Sequence, residues 1–217
     1  MKRFLPFLLI AMAGMTIAYF MIDKPKVLKV YNPIDLNPEV VDKSVRHVDK
    51  FHRVGAFNLT DQDGNMVTEN DFKNKIYVTD FFFVTCPTIC PKMTTQMNHV
   101  YEEFKKNDVI SFLSHTVMPE ADSVAVLKEY AEKLGISSDK WKFVTGDKPQ
   151  IYDLARKTYF AAVSEGDGGP NDFVHTENFV LVDKEKRLRG FYDGTSKEDV
   201  DRLITDIYAL LEEYEVN

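Results

Sequence analysis

The stretch Lys75-Ile76-Tyr77-Val78-Thr79-Asp80-Phe81-Phe82-Phe83-Val84-Thr85-Cys86-Pro87-Thr88-Ile89-Cys90-Pro91-Lys92 decides the fold. Its first half is apolar, β-branched and aromatic with almost no interruption, the pattern of a strand buried on both faces. It ends in two cysteines, each followed by proline, and these are the only two in 217 residues. A buried strand thus delivers both thiols to one turn.

On the N-terminal side of this strand, Phe57-Asn58-Leu59-Thr60 alternates apolar and polar. Asp61 to Asn65 supplies a turn and Met66-Val67-Thr68 returns, which predicts a hairpin. On the C-terminal side, Met93, Met97, Val100, Tyr101 and Phe104 recur at helical spacing. Val109 to Val117 reads as a second buried strand. Ser123 to Leu134 reads as a helix stopped by Gly135. Trp141 to Val144 is a short strand, Gln150 to Phe160 is helical, and residues 166–171 form a glycine-rich loop. Phe179 to Val182 and Leu188 to Tyr192 make a second hairpin, and Ser196 caps a last helix to about Tyr214. Strands alternating with helices predict an α/β fold of three layers around a mixed sheet.

Ahead of that unit, Lys2 and Arg3 precede a run from Phe4 to Ile22 without a charge. Nineteen helical residues span about 28 Å, the thickness of a bilayer core. The leading positive charges favour a cytoplasmic N-terminus and an exported remainder. Residues 1–22 are therefore read as a signal anchor, or as a signal peptide with Ala11-Met12-Ala13 as its small-residue site. Residues 23–53, with Pro25, Pro33 and Pro38, are read as a tether, and 54–217 as the folded domain. The domain is expected outside the cytoplasm, on the periplasmic face of a bacterium, and as a monomer. A net charge of −7 argues against a nucleic-acid partner.

A domain of this length builds a core without disulfide staples, so the cysteine pair points to chemistry. Its spacing is Cys-x-x-x-Cys. Proline disfavours helical backbone in the residue before it. This predicts Cys90 at the helix N-cap and Pro91 at the first helical position. The helix terminus should then lower the pKa of Cys90. Three uses fit such a pair: a structural disulfide, a redox-active dithiol, or half of a metal site. Among the histidines, His47 and His52 precede the domain and are expected in solvent, as is His99 on a polar helix face. His115, within an apolar strand, reads as a hydrogen-bonded core residue. His175 comes after the glycine-rich loop at a strand end and is the candidate third ligand. Two thiolates and an imidazole suit copper, and zinc also fits them. Asp80, six residues before Cys86, is either a proton acceptor and orienting group for the thiols or a backbone-bonded strand residue.

Asp80 to Pro91 together with Met93 resembles the signature of the Sco/SenC family of copper-binding, thioredoxin-fold proteins. Phe57 to Gly64 is similar to that family's opening hairpin. His175 with Phe179-Val180-Leu181-Val182-Asp183 resembles the segment holding its metal histidine, and Gly190 to Thr195 resembles the family's next segment. The likeness covers about Val54 to Leu211. It implies a membrane-tethered copper metallochaperone, not an enzyme, for the binuclear copper centre of cytochrome c oxidase. It implies Cys86, Cys90 and His175 as copper ligands, with a Cys86–Cys90 disulfide blocking metal. The alternative is a thiol–disulfide reductase, with Cys86 and Cys90 redox-active, that keeps the oxidase cysteines reduced. The implied partners are the oxidase copper-site subunit and either a copper donor or a thioredoxin-like reductant. Two positions depart from the family's usual pattern: Val174 stands where an aspartate often precedes the histidine, and Met118 replaces the acid of a Val-Asp-Pro-Glu stretch.

Overall fold

A computed structural model of the chain describes residues 12, 14, 26–38, 41–162 and 173–216. The run from Phe4 to Ile22 falls outside these apart from Met12 and Gly14, and the loop 166–171 falls outside them entirely. Among the described residues no helix is long and apolar enough to cross a membrane.

The expected hairpin is present as β1 (Asn58–Asp61) and β2 (Met66–Thr68). Its turn is held by Asp61, whose Oδ1 accepts the N–H groups of Asp63 and Asn65 at 3.0 and 2.8 Å. The deciding stretch forms β3 (Ile76–Phe82), in which every residue is buried. The remaining strands are β4 (Ile110–Thr116), β5 (Trp141–Thr145), β6 (Asn178–Val182) and β7 (Leu188–Asp193). They form one mixed sheet in the order β2-β1-β5-β4-β3-β6-β7, so β3 has parallel β4 on one side and antiparallel β6 on the other.

The period of two along β3 feeds two cores. Ile76, Val78 and Phe82 join Met93 and Met97 of α1 (Ile89–Phe104), Leu127 of α2 (Val124–Leu134) and Leu203 of α4 (Lys197–Val216). Tyr77 and Phe81 join Ile151 of α3 (Lys148–Asp153), together with Leu154, Val54 and Phe57. The result is the thioredoxin-like three-layer α/β arrangement expected from the sequence. Local signals set the element ends. Ser123 accepts the Val126 N–H at the head of α2, and Gly135 closes that helix at φ 66°. The helical expectation over Gln150 to Phe160 differs in detail: Asp147 caps α3, which begins two residues earlier, and the chain widens into a π-helical turn over Leu154–Thr158.

The described part of residues 23–53 lies against the domain. The Tyr31 N–H donates to the Leu188 carbonyl at 2.9 Å, and Lys26 pairs with Asp206 at 2.5 Å. Arg189 is the hub of this contact. Its buried guanidinium donates to Asp183 at 2.9 Å, to Glu213 at 2.6 Å and to the Leu28 carbonyl at 2.8 Å. His52, expected in solvent, is half-buried instead. Its Nε2 lies 2.8 Å from the Thr158 carbonyl, and its ring packs on Phe160.

Removing one member of a buried ion pair leaves the other charge desolvated and unpaired, at a cost of about 3–5 kcal/mol. Arg189→Met is therefore expected to lower unfolding stability by about 3 kcal/mol or more in urea denaturation. Lys197→Ala, which removes an exposed pair with Asp201, is expected to change it by under about 0.5 kcal/mol.

Candidate metal and redox centre

β3 ends at Phe82, and the chain turns at once: the Cys86 N–H donates to the Phe83 carbonyl at 3.2 Å. The turn is tied to the neighbouring loop by Asp122, which is buried. Its Oδ2 accepts the Val84 N–H at 3.1 Å and the Thr116 hydroxyl at 2.5 Å. Helix α1 then starts at Ile89, with Thr88 as N-cap.

This start lies earlier than the sequence predicts. Cys90 is the second helical residue and Pro91 the third, not the cap and the first. Pro91 fits there because the first four N–H groups of a helix have no intrahelical partner, so its missing donor costs no ladder bond. Thr88 makes no side-chain cap bond. The Cys86 sulfur takes that place and accepts the Cys90 backbone N–H at 3.5 Å, with the Thr88 hydroxyl 4.0 Å away.

The electrostatic order of the thiols is consequently the reverse of the expected one. Burial acts to raise the Cys86 thiol, but hydrogen bonds from the Cys90 thiol and from the Thr88 and Cys90 backbone outweigh it and bring it down to about 7. Burial, together with the donation of its own S–H to Cys86, pushes Cys90 up to about 12. Cys86 is the more acidic thiol and Cys90 its protonated partner. Both are free and buried, at 8% and 5% exposure. A groove of about 340 Å³ opens beside them, lined by Val84, Pro91, Thr94 and Tyr130 among others.

Asp80 shares the strand face of Phe82, behind the thiols. It is 3% exposed and accepts the Ser114 hydroxyl at 2.5 Å, while the Trp141 indole N–H also bonds that hydroxyl at 2.9 Å. Burial raises its carboxyl to about 7 against the pull of the Ser114 bond, and its charge is one of the smaller causes of the raised Cys90 thiol. The alternative of a purely backbone-bonded aspartate does not describe it.

His175 is exposed, in an irregular stretch just before β6. Its ring lies 4.5 Å from that of Phe173, and Phe173 meets Phe83 edge-on at 5.4 Å. Among the described residues, no three His, Cys, Asp or Glu side chains stand close enough together to hold a metal ion. The structure therefore joins Cys86 to Cys90 directly and brings His175 to the same end of the sheet through two aromatic rings. His115 is the core residue expected: fully buried, stacked on Phe81, its Nδ1 3.3 Å from the Asp80 carbonyl. His99 sits on the exposed face of α1, 3.9 Å from Asp201. Asp122, Thr88 and Phe173 escape a reading of the sequence. Each gains its role from a partner distant in the chain or from the exact start of α1.

A sheet of this order, with two unequal thiols at the head of the helix after its central strand, defines a thioredoxin-like dithiol protein. The chain belongs to the SCO1/SenC family, whose pattern matches residues 45–212. It is 30% identical over 158 residues to the SCO1 protein homolog of Bacillus subtilis, covering 72% of this chain and 81% of that one. It superposes on BsSco, a Sco-family cytochrome c oxidase assembly protein with a disulfide switch, at a TM-score of 0.62 and 29% identity, over 73% of this chain and 93% of that one. It also superposes on copper-bound ScoI of Arabidopsis thaliana, at a TM-score of 0.59 and 25% identity, over 74% and 99% of the two chains.

Alkylation of the reduced protein is expected to rise with pH through a midpoint near 7, from Cys86 alone. Cys90→Ala removes a donor to that sulfur and should move the midpoint up; a midpoint that stays or falls contradicts the hydrogen-bonding account. For Asp80 the sign is opposite to that of a salt-bridged carboxylate. Its folded pKa lies above the ordinary 3.8, so the folded state loses stability as pH rises from about 4 through about 7. A carboxyl raised from 3.8 to about 7 corresponds to roughly 4 kcal/mol as an upper figure. Asp80→Asn abolishes this titration, so melting scans at pH 5 and 8 should show a much smaller loss in the variant than in the wild type.

Proposed function

We propose that this protein is a copper metallochaperone for the binuclear copper centre of cytochrome c oxidase, held at a membrane with its domain outside the cytoplasm. Cys86 and Cys90 bind copper as thiolates and His175 supplies the third ligand. The observation that carries the reading is the Cys86 sulfur accepting the Cys90 N–H at the head of α1, in a chain of the SCO1/SenC family. Thiolate is the form that binds metal, and soft sulfur donors select Cu(I). The copper-bound relative from Arabidopsis thaliana and the oxidase-assembly role of BsSco support the same reading. The groove beside the thiols gives an incoming partner access to sulfur atoms that are otherwise covered.

The unequal thiols favour a second reading, that of a thiol–disulfide reductase acting on the oxidase copper-site cysteines. The Cys86 thiolate attacks a client disulfide, forming a mixed disulfide and releasing one client thiolate. Cys90 then loses its proton and attacks the Cys86 sulfur, which frees the second client thiol and closes a Cys86–Cys90 disulfide. Two electrons pass to the client, and a thioredoxin-like reductant must restore the pair. Asp80, buried on the same strand face, supports this reading as the group that takes the Cys90 proton.

Copper titration of the reduced full-length chain in detergent separates the two. In the metallochaperone reading, wild type shows thiolate-to-copper absorption, either cysteine replaced by serine loses it, and His175→Ala weakens binding by roughly tenfold or more. Unchanged affinity in His175→Ala, alongside rapid reduction of a client disulfide, would favour the reductase.

A further inference from the structure

His175 has no regular structure to hold it, since it lies in residues 173–177 ahead of β6. An irregular stretch keeps one geometry only where side chains and backbone tie it down. The ties here alternate. Val174 is 2% exposed and sits in the second core, and Thr176 donates its hydroxyl to the Ala161 carbonyl at 2.5 Å. The Asn178 amide reaches the same carbonyl at 3.0 Å, and the Glu177 carbonyl accepts the Gly194 N–H at 2.7 Å. Phe173 packs partly against that same second core, and His175 stands exposed beside it. Their rings meet at 4.5 Å with 56° between planes.

The register of β6 on β3 sets where this happens. Tyr77 pairs with Val182 and Thr79 with Val180. The antiparallel pairing brings the chain that enters β6 to the end of β3 that leads into the Cys86 turn. Phe83 is the first residue of that turn, and its carbonyl accepts the Cys86 N–H. Its ring is met edge-on by Phe173 at 5.4 Å and 86°. One side chain thus bridges the turn that carries the thiols and the imidazole that must join them.

We propose that Phe173 is a positioning residue, wedged between Phe83 and His175, which fixes where the third ligand stands relative to the cysteine pair. This rests on the reading of His175 as a copper ligand. Edge-on and tilted aromatic contacts at these distances are each worth roughly threefold to tenfold in an equilibrium. A ring held beside the cysteine turn has less freedom to lose when it closes on the sulfurs than a free one.

The test uses the full-length chain in detergent, with carbon-13 histidine for NMR. In the metal-free protein, the His175 ring protons should carry the ring-current shift of a neighbouring aromatic, and Phe173→Ala should move them to the values of an exposed imidazole. The same variant should bind copper about tenfold more weakly, and Phe173→Tyr, which keeps the ring, should restore both signals. Phe173→Ala added to His175→Ala should cost nothing further, and alkylation of Cys86 should keep its wild-type pH midpoint. Wild-type affinity in Phe173→Ala overturns the proposal, as does an equal loss in the His175→Ala background, which assigns Phe173 to general packing. Wild-type affinity in His175→Ala overturns the ligand reading instead and leaves Phe173 nothing to position.

Discussion

The backbone N–H of Cys90 points at the Cys86 sulfur, and most of the chemistry of this protein depends on that contact. A helix begins with N–H groups that have no partner inside it, and it presents a positive potential there. Cys86 lies just before the helix, where its sulfur receives those donors; Cys90 lies within the first turn, where its own N–H is used and its side chain joins the core. One thiol is therefore stabilised as an anion and the other as an acid, although both are similarly buried. The position of the helix start, a matter of one or two residues, decides which is which.

That position is also where the sequence is hardest to read. The buried central strand, the two hairpins, the Ser123 cap and the Gly135 stop are local signals: each needs only its own neighbours, and each is present in the structure. The rule that a residue before proline avoids helical backbone is local as well, but here it loses to tertiary packing. Cys90, Met93 and Met97 all enter the first core from one helix. Asp122 illustrates the same limit. In Met118-Pro119-Glu120-Ala121-Asp122 it reads as an ordinary loop acid. Its grip on the Val84 N–H exists only because β4 lies beside β3. His52 likewise becomes half-buried through contacts with Thr158 and Phe160, which are remote from it in the chain.

The site stands where the sheet changes direction. β3 runs parallel to β4 and antiparallel to β6, so the turn leaving β3 and the segment entering β6 meet at one edge of the molecule. This explains how a histidine so far along the chain is brought to the same end of the sheet as the cysteines without belonging to the same motif. Sequence spacing could nominate His175 only by its place at a strand end. The antiparallel register supplies the reason, and the Phe83–Phe173 contact supplies the local fit.

The same geometry explains why metal binding and disulfide exchange compete in a pair of this kind. Copper bound by both sulfurs needs Cys90 as well as Cys86 deprotonated, yet burial holds the Cys90 proton tightly as long as no positive charge stands beside it. A soft cation offsets that cost directly, whereas a client disulfide reacts first with the Cys86 thiolate and calls on Cys90 only in the second step. The asymmetry set by α1 thus leaves Cys86 ready for either partner and makes Cys90 conditional on which one arrives. In the metallochaperone reading, a closed Cys86–Cys90 disulfide uses both sulfurs and leaves His175 without a soft donor to share a metal with. Reduction of the pair is therefore a precondition for copper binding in the first reading and the regenerating step in the second.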